Sequence, residues 1–424
     1  MDERPIAMLR VAFIFVVLWL VSSVANSKSP LFTEIEKDKL NQWSVTYSSQ
    51  KPIKSIMFAS SPDNSRLTRW LPLTDGFFIN KINGNEIITR KDGQAFHRVQ
   101  LALTPTYTHL PKSYAPFSPY SNNGMLIHSG RFFACPEICT GNENLWALSV
   151  KAPMNERIVV NGEVHQNSVS WWDNNEGRKV YIGQQQLNEH EHYISIIDSQ
   201  LSSEIKTKLE HLFPKMMTRL ATTYGELSEK PMLFASYGQT DTGAYGHQGG
   251  TLPNQVFMHW WGAENTPKNG NEELIWFFAH EAAHIYQNLS GGALNPVDNW
   301  LHEGHAEATA KTIMLEMFPQ YADYINAKSN KAKRACEKII SNSSLSAQVT
   351  KNNHNALYYC GLYIFEHIEK IHHSSDTTAE IWKQFVKTYN GSNKSPSELF
   401  LHQAETRFAL PKQTANIYRR LVSY

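Results

Sequence analysis

The feature that most restricts the fold of this chain is a pair of histidines in the stretch HEAAH. Because one helical turn takes about 3.6 residues, a helix here would place His280 and His284 on one face, where both imidazoles can bind one metal ion. The stretch follows Asn271, a residue typical of helix starts, and precedes Gly291, a residue typical of helix ends. We therefore predict a helix over residues 272–289 that presents both histidines.

A second stretch, WLHEGHA, supplies a carboxylate at a spacing suited to the same ion. Eighteen residues separate His284 from Glu303, which is the spacing of zinc enzymes whose third ligand is glutamate. A second helix, predicted over residues 297–317, carries this glutamate. Three protein ligands leave a fourth position for water, as in catalytic zinc sites. We assign His280, His284 and Glu303 as the ligands of one zinc ion.

Two further acidic residues receive different roles. Glu281 lies about 100° around the helix from His280, beside the metal without binding it, where a base for the attacking water is needed. Glu307, one turn after Glu303, is assigned to the free ring N–H of a zinc-binding histidine, whose tautomer it would fix. Gly304 is small, and we expect it to let the two helices approach closely.

The neighbouring histidines do not have the spacing of ligands. His302 and His305 flank Glu303 but point to other faces of the helix, so we interpret them as surface residues or as partners of the ligands. His247 and His259 have no ligand at a suitable distance in the sequence. They are not assigned to the metal.

These residues resemble the aminopeptidase N family of gluzincin zinc metallopeptidases. The family pattern, HExxH followed after eighteen residues by a glutamate in WLxEGxA, is matched by HEAAH and WLHEGHA. The family also has a catalytic tyrosine in YxxG, and the matching YYCG implies that Tyr358, or alternatively Tyr359, donates a hydrogen bond to the oxyanion. The resemblance covers about residues 45–373, and its specific motifs lie within residues 274–310.

The resemblance implies an α+β fold with an N-terminal antiparallel β domain, a thermolysin-like, mainly helical zinc peptidase domain, and a short C-terminal helical region. The sequence agrees, since short alternating runs joined by hairpin dipeptides such as Asn83-Gly84 and Asn161-Gly162 occur in the first half, and helical periodicity dominates the second. The predicted divisions are a signal peptide at 1–25, the β domain at 26–199, the catalytic domain at 200–320 and the helical region at 321–424.

One departure from the family concerns the loop that holds the free amine of an aminopeptidase substrate. The family loop is Gly-x-Met-Glu-Asn, and the corresponding stretch here is GTLPN, in which Pro253 replaces the glutamate. A proline cannot bind an ammonium group. Gly249, Gly250 and Asn254 remain as candidates for binding an extended peptide.

Charge and cysteine content restrict the remaining possibilities. The 40 basic and 39 acidic residues are mixed along the chain, so nothing indicates nucleic-acid binding. An apolar stretch after Arg10 ends in Ser23-Val24-Ala25, which predicts a signal peptide cut after Ala25 and export to the periplasm or outside the cell; the alternative is an uncleaved membrane anchor. The simplest of three pairings for the four cysteines is local, Cys135 with Cys139 and Cys336 with Cys360.

The sequence thus predicts zinc-dependent hydrolysis of peptides outside the cytoplasm by a metal-activated water, with an aminopeptidase-type reaction first by resemblance. An endopeptidase or another peptidase of the same fold is the alternative because of Pro253. A zinc-stabilised binding protein of the cell envelope, without catalysis, is the third possibility.

Overall fold

The computed structural model describes residues 27–110, 113–238, 246–262, 271–287, 294–373, 377–389 and 395–423. Strands dominate up to Trp261, and helices dominate from Asn271 onward. The predicted signal peptide and Gly291 lie outside the described residues, and the helix predicted over residues 272–289 ends earlier, at Ile285. Within those residues, no helix combines the length and the apolar character that crossing a bilayer requires.

The N-terminal part of the chain is built from short strands. They are β1 (Ser27–Lys37), β2 (Trp43–Ile53), β3 (Ser55–Phe58), β4 (Trp70–Pro72), β5 (Phe77–Ile82), β6 (Asn85–Arg90), β7 (Phe96–Leu103), β8 (Phe117–Pro119), β9 (Met125–His128), β10 (Ala134–Pro136), β11 (Glu143–Lys151), β12 (Arg157–Val160), β13 (Glu163–Gln166), β14 (Ser168–Asp173) and β15 (Lys179–Gly183).

These strands form three sheets, in the orders β14-β11-β1-β2-β7-β4, β10-β3-β6-β5 and β13-β12-β15-β9-β8. Neighbouring strands are antiparallel except β1 and β11, which pair in parallel. Their inward faces share one hydrophobic core, in which Ile35, Val45 and Leu101 are fully buried. The predicted antiparallel β domain is therefore confirmed, with one parallel pair.

Both predicted hairpin turns are present. Asn83-Gly84 joins β5 to β6, and Asn161-Gly162 joins β12 to β13. The two asparagines have φ of 50° and 54°. Because a two-residue turn that matches the strand twist needs positive φ at both positions, asparagine followed by glycine is favoured there.

A fourth sheet belongs to the second half of the molecule. Its strands are β16 (Asn188–Glu189), β17 (Ile194–Ile197), β18 (Met232–Gly238), β19 (Gly246–Leu252) and β20 (Gln255–Trp261), in the order β16-β17-β18-β20-β19. Strand β19 lies at the edge and is antiparallel to β20. Since β16 and β17 precede residue 199, the predicted domain boundary at that residue falls after two strands of this sheet; the division itself stays a prediction.

The helices are α1 (Arg66–Arg69), α2 (Ser203–Thr207), α3 (Phe213–Tyr224), α4 (Asn271–Ile285), α5 (Trp300–Met317), α6 (Ala322–Asn342), α7 (Leu345–Thr350), α8 (Asn355–His372), α9 (Thr377–Tyr389), α10 (Pro396–Arg407) and α11 (Lys412–Val422). Helix α5 lies at the centre and contacts α4, α6, α8 and α9. Its small residues Ala306, Ala308 and Ala310 are fully buried, as expected for a helix covered on several sides. One hydrophobic core extends from Tyr193 to Val422 and joins the fourth sheet to these helices.

Both predicted disulfides are present. Cys135 pairs with Cys139 beside β10, and Cys336 pairs with Cys360. The second bond links α6 to α8, the helix that contains the YYCG stretch. Local pairing of the cysteines is thus confirmed.

Candidate active site

Helices α4 and α5 bring the three predicted metal ligands together. The Nε2 atoms of His280 and His284 lie 3.0 Å apart. Glu303, in the first turn of α5, places Oε2 at 3.2 Å from Nε2 of His280 and 3.4 Å from Nε2 of His284. One ligand atom from each residue thus lies within 4.8 Å of the others. The three residues that the sequence spacing predicts as ligands of one ion therefore do lie together in the structure.

The chemistry of this cluster fits a zinc ion. Two imidazole nitrogens and one carboxylate oxygen are a common catalytic zinc donor set, and they converge from one side. The Oε2 atom of Glu303 faces the Nε2 atoms of both histidines, so the three ligand atoms point towards one another, as they would around a shared cation.

The electrostatics of the cluster also favour a cation. Burial lowers the pKa of His280, but the carboxylates of Glu303 and Glu307 outweigh burial and raise that pKa to about 10. Burial raises the pKa of Glu303, but hydrogen bonds to His280 and His284 hold it well below its usual range. The negative potential that raises the histidine pKa values would equally stabilise a bound metal ion.

Glu307 lies where the sequence predicts a partner for a ligand. Its Oε1 is 3.0 Å from Nδ1 of His280 and accepts a hydrogen bond of 3.2 Å from Nε1 of Trp276. Its Oε2 lies 4.0 Å from Nζ of Lys328 on α6. The carboxylate is therefore anchored on both oxygens, and it faces the imidazole nitrogen that points away from the cluster.

Glu281 lies between α4 and strand β19. Thr251 Oγ1 is 2.6 Å from Oε2 of Glu281, a distance at which the hydroxyl donates to the carboxylate, and 3.0 Å from the backbone oxygen of the same residue. Glu281 supplies none of the three converging ligand atoms. The carboxylate predicted to act as the base is thus beside the cluster and in contact with the edge strand.

Of the two candidate tyrosines, Tyr358 has its ring beside the cluster. It lies 5.7 Å from the ring of His280, with an interplanar angle of 19°. Burial raises the pKa of Tyr358, and the charges of Glu303 and Glu281 raise it further, so the phenol keeps its proton at neutral pH. Tyr359 instead has Nζ of Lys331 at 5.4 Å from its ring centre, on the side of α6.

Two glycines place the Tyr358 helix against α5. A Cβ atom added at Gly304 would lie 2.5 Å from Cα of Gly361, and one added at Gly361 would lie 2.4 Å from Cα of Gly304. Such contacts are impossible for any larger residue. Gly304, which was expected to face α4, faces α8 instead. The glycine of YYCG is thus needed for the close approach of α5 and α8.

The predicted substrate residues are only partly near this cluster. Gly249 and Gly250 lie on β19, next to Thr251 and therefore close to Glu281. Asn254 lies in the turn after β19 with φ of 59°, and its backbone oxygen accepts from the backbone N–H of Met232. The structure therefore brings the two glycines to the site and places Asn254 on the side of β18.

The remaining histidines lie outside the ligand set. His305 is fully buried, and His302 is half-buried with Nε2 unpaired among the described residues. His259 is buried beside Ser236 Oγ, at 2.9 Å from Nδ1. His247 is exposed on β19.

Two contacts at the site were not predicted from the sequence. Gln287 lies 3.0 Å from Nδ1 of His284, and Tyr114, from the segment between β7 and β8, places its hydroxyl 3.3 Å from the backbone oxygen of Thr251. Gln287 could have been found by its distance of three residues from His284. Tyr114 gave no such indication, since it lies 137 residues from Thr251 in the sequence.

Comparisons with known proteins agree with this architecture. No protein-family model matches the chain, and no curated protein sequence matches it. Among solved structures, an aminopeptidase N family protein from Idiomarina loihiensis aligns over 92% of this chain and 76% of its own, with a TM-score of 0.61 and 11% identity.

An M1 zinc metallopeptidase from Deinococcus radiodurans, in a form bound to a Tyr-Ser-Ala substrate, aligns over 92% of both chains, with a TM-score of 0.50 and 12% identity. At these identities the likeness concerns the fold. It confirms that this chain resembles the aminopeptidase N family of zinc metallopeptidases in its fold.

Proposed function

We propose that this protein is a zinc-dependent peptidase that cleaves peptide bonds with a water activated at the His280, His284 and Glu303 cluster. The observation that carries the proposal is the convergence of three ligand atoms within 4.8 Å, with the carboxylate of Glu281, which is not one of the ligands, beside them. A structural zinc site would need four protein ligands and no adjacent base. The three-ligand set and the adjacent carboxylate support a catalytic role.

The residues divide the work of hydrolysis as follows. A zinc ion in such a site supplies Lewis-acid chemistry, since it lowers the pKa of a bound water towards about 7 and polarises a carbonyl. Glu281 takes the proton of the attacking water and passes it to the leaving amine. Thr251 holds one oxygen of Glu281 by its hydroxyl, which leaves the other oxygen for proton transfer. Glu307 orients His280.

Tyr358 acts on the substrate carbonyl. Its phenol keeps its proton and lies next to the cluster, where it donates a hydrogen bond to the oxygen that becomes negative in the transition state. A preorganised donor of this kind lowers the activation free energy by about 2.7–4 kcal/mol. The rigid contact between α5 and α8 supports this placement.

We propose an aminopeptidase-type reaction on peptides outside the cytoplasm, with a signal peptide removed after Ala25. The resemblance to the aminopeptidase N family supports it. Pro253 favours a second candidate, an endopeptidase or another peptidase of the same fold, because it removes the carboxylate that would bind a free amine. In both cases the edge of β19 at Gly249, which pairs with no further strand among the described residues, would bind the peptide backbone as an added strand.

Zinc removal and a panel of peptides test this proposal. Chelation should abolish hydrolysis and zinc should restore it, whereas His284→Ala should bind little zinc and stay inactive after zinc is added. Peptides with free and N-acetylated termini then separate the two candidates, because an aminopeptidase needs the free amine. Stoichiometric zinc without hydrolysis of any peptide would leave the envelope binding protein as the remaining function.

A further inference from the structure

Gln287 directly contacts one of the predicted ligands. It follows the last turn of α4, is 4% exposed, and places Oε1 at 3.0 Å from Nδ1 of His284. We propose that Gln287 is a positioning residue that fixes His284 in the tautomer whose Nε2 faces the metal. The inference rests on the proposed function only in taking His284 as a zinc ligand.

The orientation of the Gln287 amide follows from a group that can only accept hydrogen bonds. Its Nε2 lies 2.8 Å from the backbone oxygen of His302, so this end of the amide must be the NH₂ group. The other end is therefore the oxygen, which faces Nδ1 of His284. Because an amide oxygen only accepts, Nδ1 must carry a hydrogen, so the neutral ring that binds a metal has its lone pair on Nε2.

The second N–H of the Gln287 amide fixes the hydrogen of another histidine, His305, in the same way. It points to Nδ1 of His305 at 3.1 Å, so that nitrogen accepts and Nε2 of His305 carries the hydrogen. Nε2 lies 2.8 Å from the hydroxyl of Tyr224, which in turn lies 3.1 Å from Oγ1 of Thr309.

Helix α9 holds this network in place from outside. Trp382 donates a hydrogen bond of 3.1 Å from Nε1 to the backbone oxygen of Gln287, and its ring stacks on His305 at 4.2 Å. Both contacts come from the C-terminal helical region. This region therefore contributes to the geometry of the metal site, although none of the ligand atoms belongs to it.

The two ligand histidines thus have different partners. His280 faces the carboxylate of Glu307, whereas His284 faces the neutral amide of Gln287. A neutral acceptor fixes the ring without adding a negative charge. Without it, His284 could place its hydrogen on Nε2, where it would repel a cation, and partners of this kind commonly contribute about 10–100-fold to metal affinity or activity.

Two substitutions separate the acceptor of Gln287 from its donors. Gln287→Leu removes both, while Gln287→Glu keeps an oxygen for His284 and loses both N–H groups. We expect Gln287→Leu to weaken zinc binding by about 10–100-fold and Gln287→Glu to keep it within about threefold, although both should lower Tm. Competition with a chelator measures the zinc Kd, and the absorption spectrum of the cobalt-substituted protein reports ligand geometry.

Gln403→Leu is the matched control. Gln403 is also buried at 4% exposure and donates to the backbone oxygen of Gln384 and the hydroxyl of Thr388. The control should lower Tm without changing the zinc Kd or the cobalt spectrum. A wild-type zinc Kd in Gln287→Leu, or equal losses in the leucine and glutamate variants, would show that Gln287 has no positioning role.

A measurement on the unmodified protein keeps the inference testable if Gln287→Leu does not fold. Isotope-labelled histidine NMR of the cadmium-loaded protein should show metal coupling to Nε2 of His284 and a retained hydrogen on Nδ1. Coupling to Nδ1 would overturn the inference. Because none of these experiments uses a substrate, a protein that binds zinc but cleaves no peptide would refute the proposed function and leave this inference standing.

Discussion

The two walls of the candidate active site are built in different ways. The metal wall consists of α4 and α5, and each of its histidines has a buried partner, Glu307 for His280 and Gln287 for His284. The other wall is the strand β19, which we call the substrate wall because the peptide is proposed to bind there; Gly249 and Gly250 offer only backbone atoms. Side-chain contacts fix the metal wall. The substrate wall presents backbone N–H and C=O groups, which can bind a peptide only where no other residue covers them.

The sequence distances within the two walls differ as well. The metal wall takes its three ligands from two consecutive helices of one chain segment. The substrate wall is completed by the N-terminal domain, since Tyr107 donates to Oε1 of Gln248 across 141 residues. The candidate metal ligands are thus close together in the sequence, whereas the shape of the cleft depends on how the two halves of the molecule pack.

Among variants that still bind zinc, we expect Glu281→Gln to have the largest effect on activity. Removing a general base should reduce kcat by about 10²–10⁴-fold. Zinc content should be unchanged, because Glu281 is not among the converging ligand atoms, and it is measured as zinc per protein. Full activity of Glu281→Gln would show that another group takes the proton.

Tyr358→Phe should have the next largest effect. Loss of one oxyanion donor reduces kcat by about 10²–10³-fold, and neither KM nor zinc content should change much because the phenol does not bind the metal. Tyr359→Phe is the matched control, since its ring faces Lys331 and α6. If the control lost activity and Tyr358→Phe kept it, the two tyrosine roles would be exchanged.

The difference between the walls also explains what could be predicted from the sequence. Helical spacing placed His280 and His284 together, and the eighteen-residue spacing typical of zinc enzymes added Glu303. The glycine of YYCG is explained by the contact of Gly361 with Gly304. The sequence could not reveal Tyr114 above β19, because that contact depends on domain packing. The position of Asn254 depends on the turn conformation, which directs it towards β18.

Thr251→Val tests the point where the two walls meet. The substitution removes the hydroxyl that donates to Glu281 and keeps the shape of the side chain. A hydrogen bond to a charged group contributes about 1.5–3 kcal/mol, so we expect kcat to fall by about tenfold or more, with unchanged KM and zinc content. Thr251→Ser should restore most of the rate. If the valine and serine variants were equally slow, the hydroxyl would not be the cause.

Tyr114→Phe is expected to have the smallest effect, confined to the substrate wall. Pro253 and Asn254 form a two-residue turn between Leu252 and Gln255, which pair with each other. Because hydrogen-bonded and non-hydrogen-bonded pairs alternate along antiparallel strands, Thr251, the residue before Leu252, directs its backbone groups away from β20. The hydroxyl of Tyr114 lies 3.3 Å from that outward carbonyl, where it competes with the N–H of a bound peptide.

Removing this hydroxyl should therefore free one acceptor on the strand edge. A hydrogen bond between uncharged groups contributes about 0.5–1.5 kcal/mol, which corresponds to a KM lowered by about 2–10-fold for peptides long enough to reach Thr251, with kcat unchanged. Tyr107→Phe is the matched control, because its hydroxyl binds a side chain, that of Gln248, and not the strand backbone. An equal or higher KM in Tyr114→Phe would mean that the peptide does not pair with β19 at Thr251. In that case the metal wall would provide most of the contacts to the substrate, and the two walls would differ in function as well as in construction.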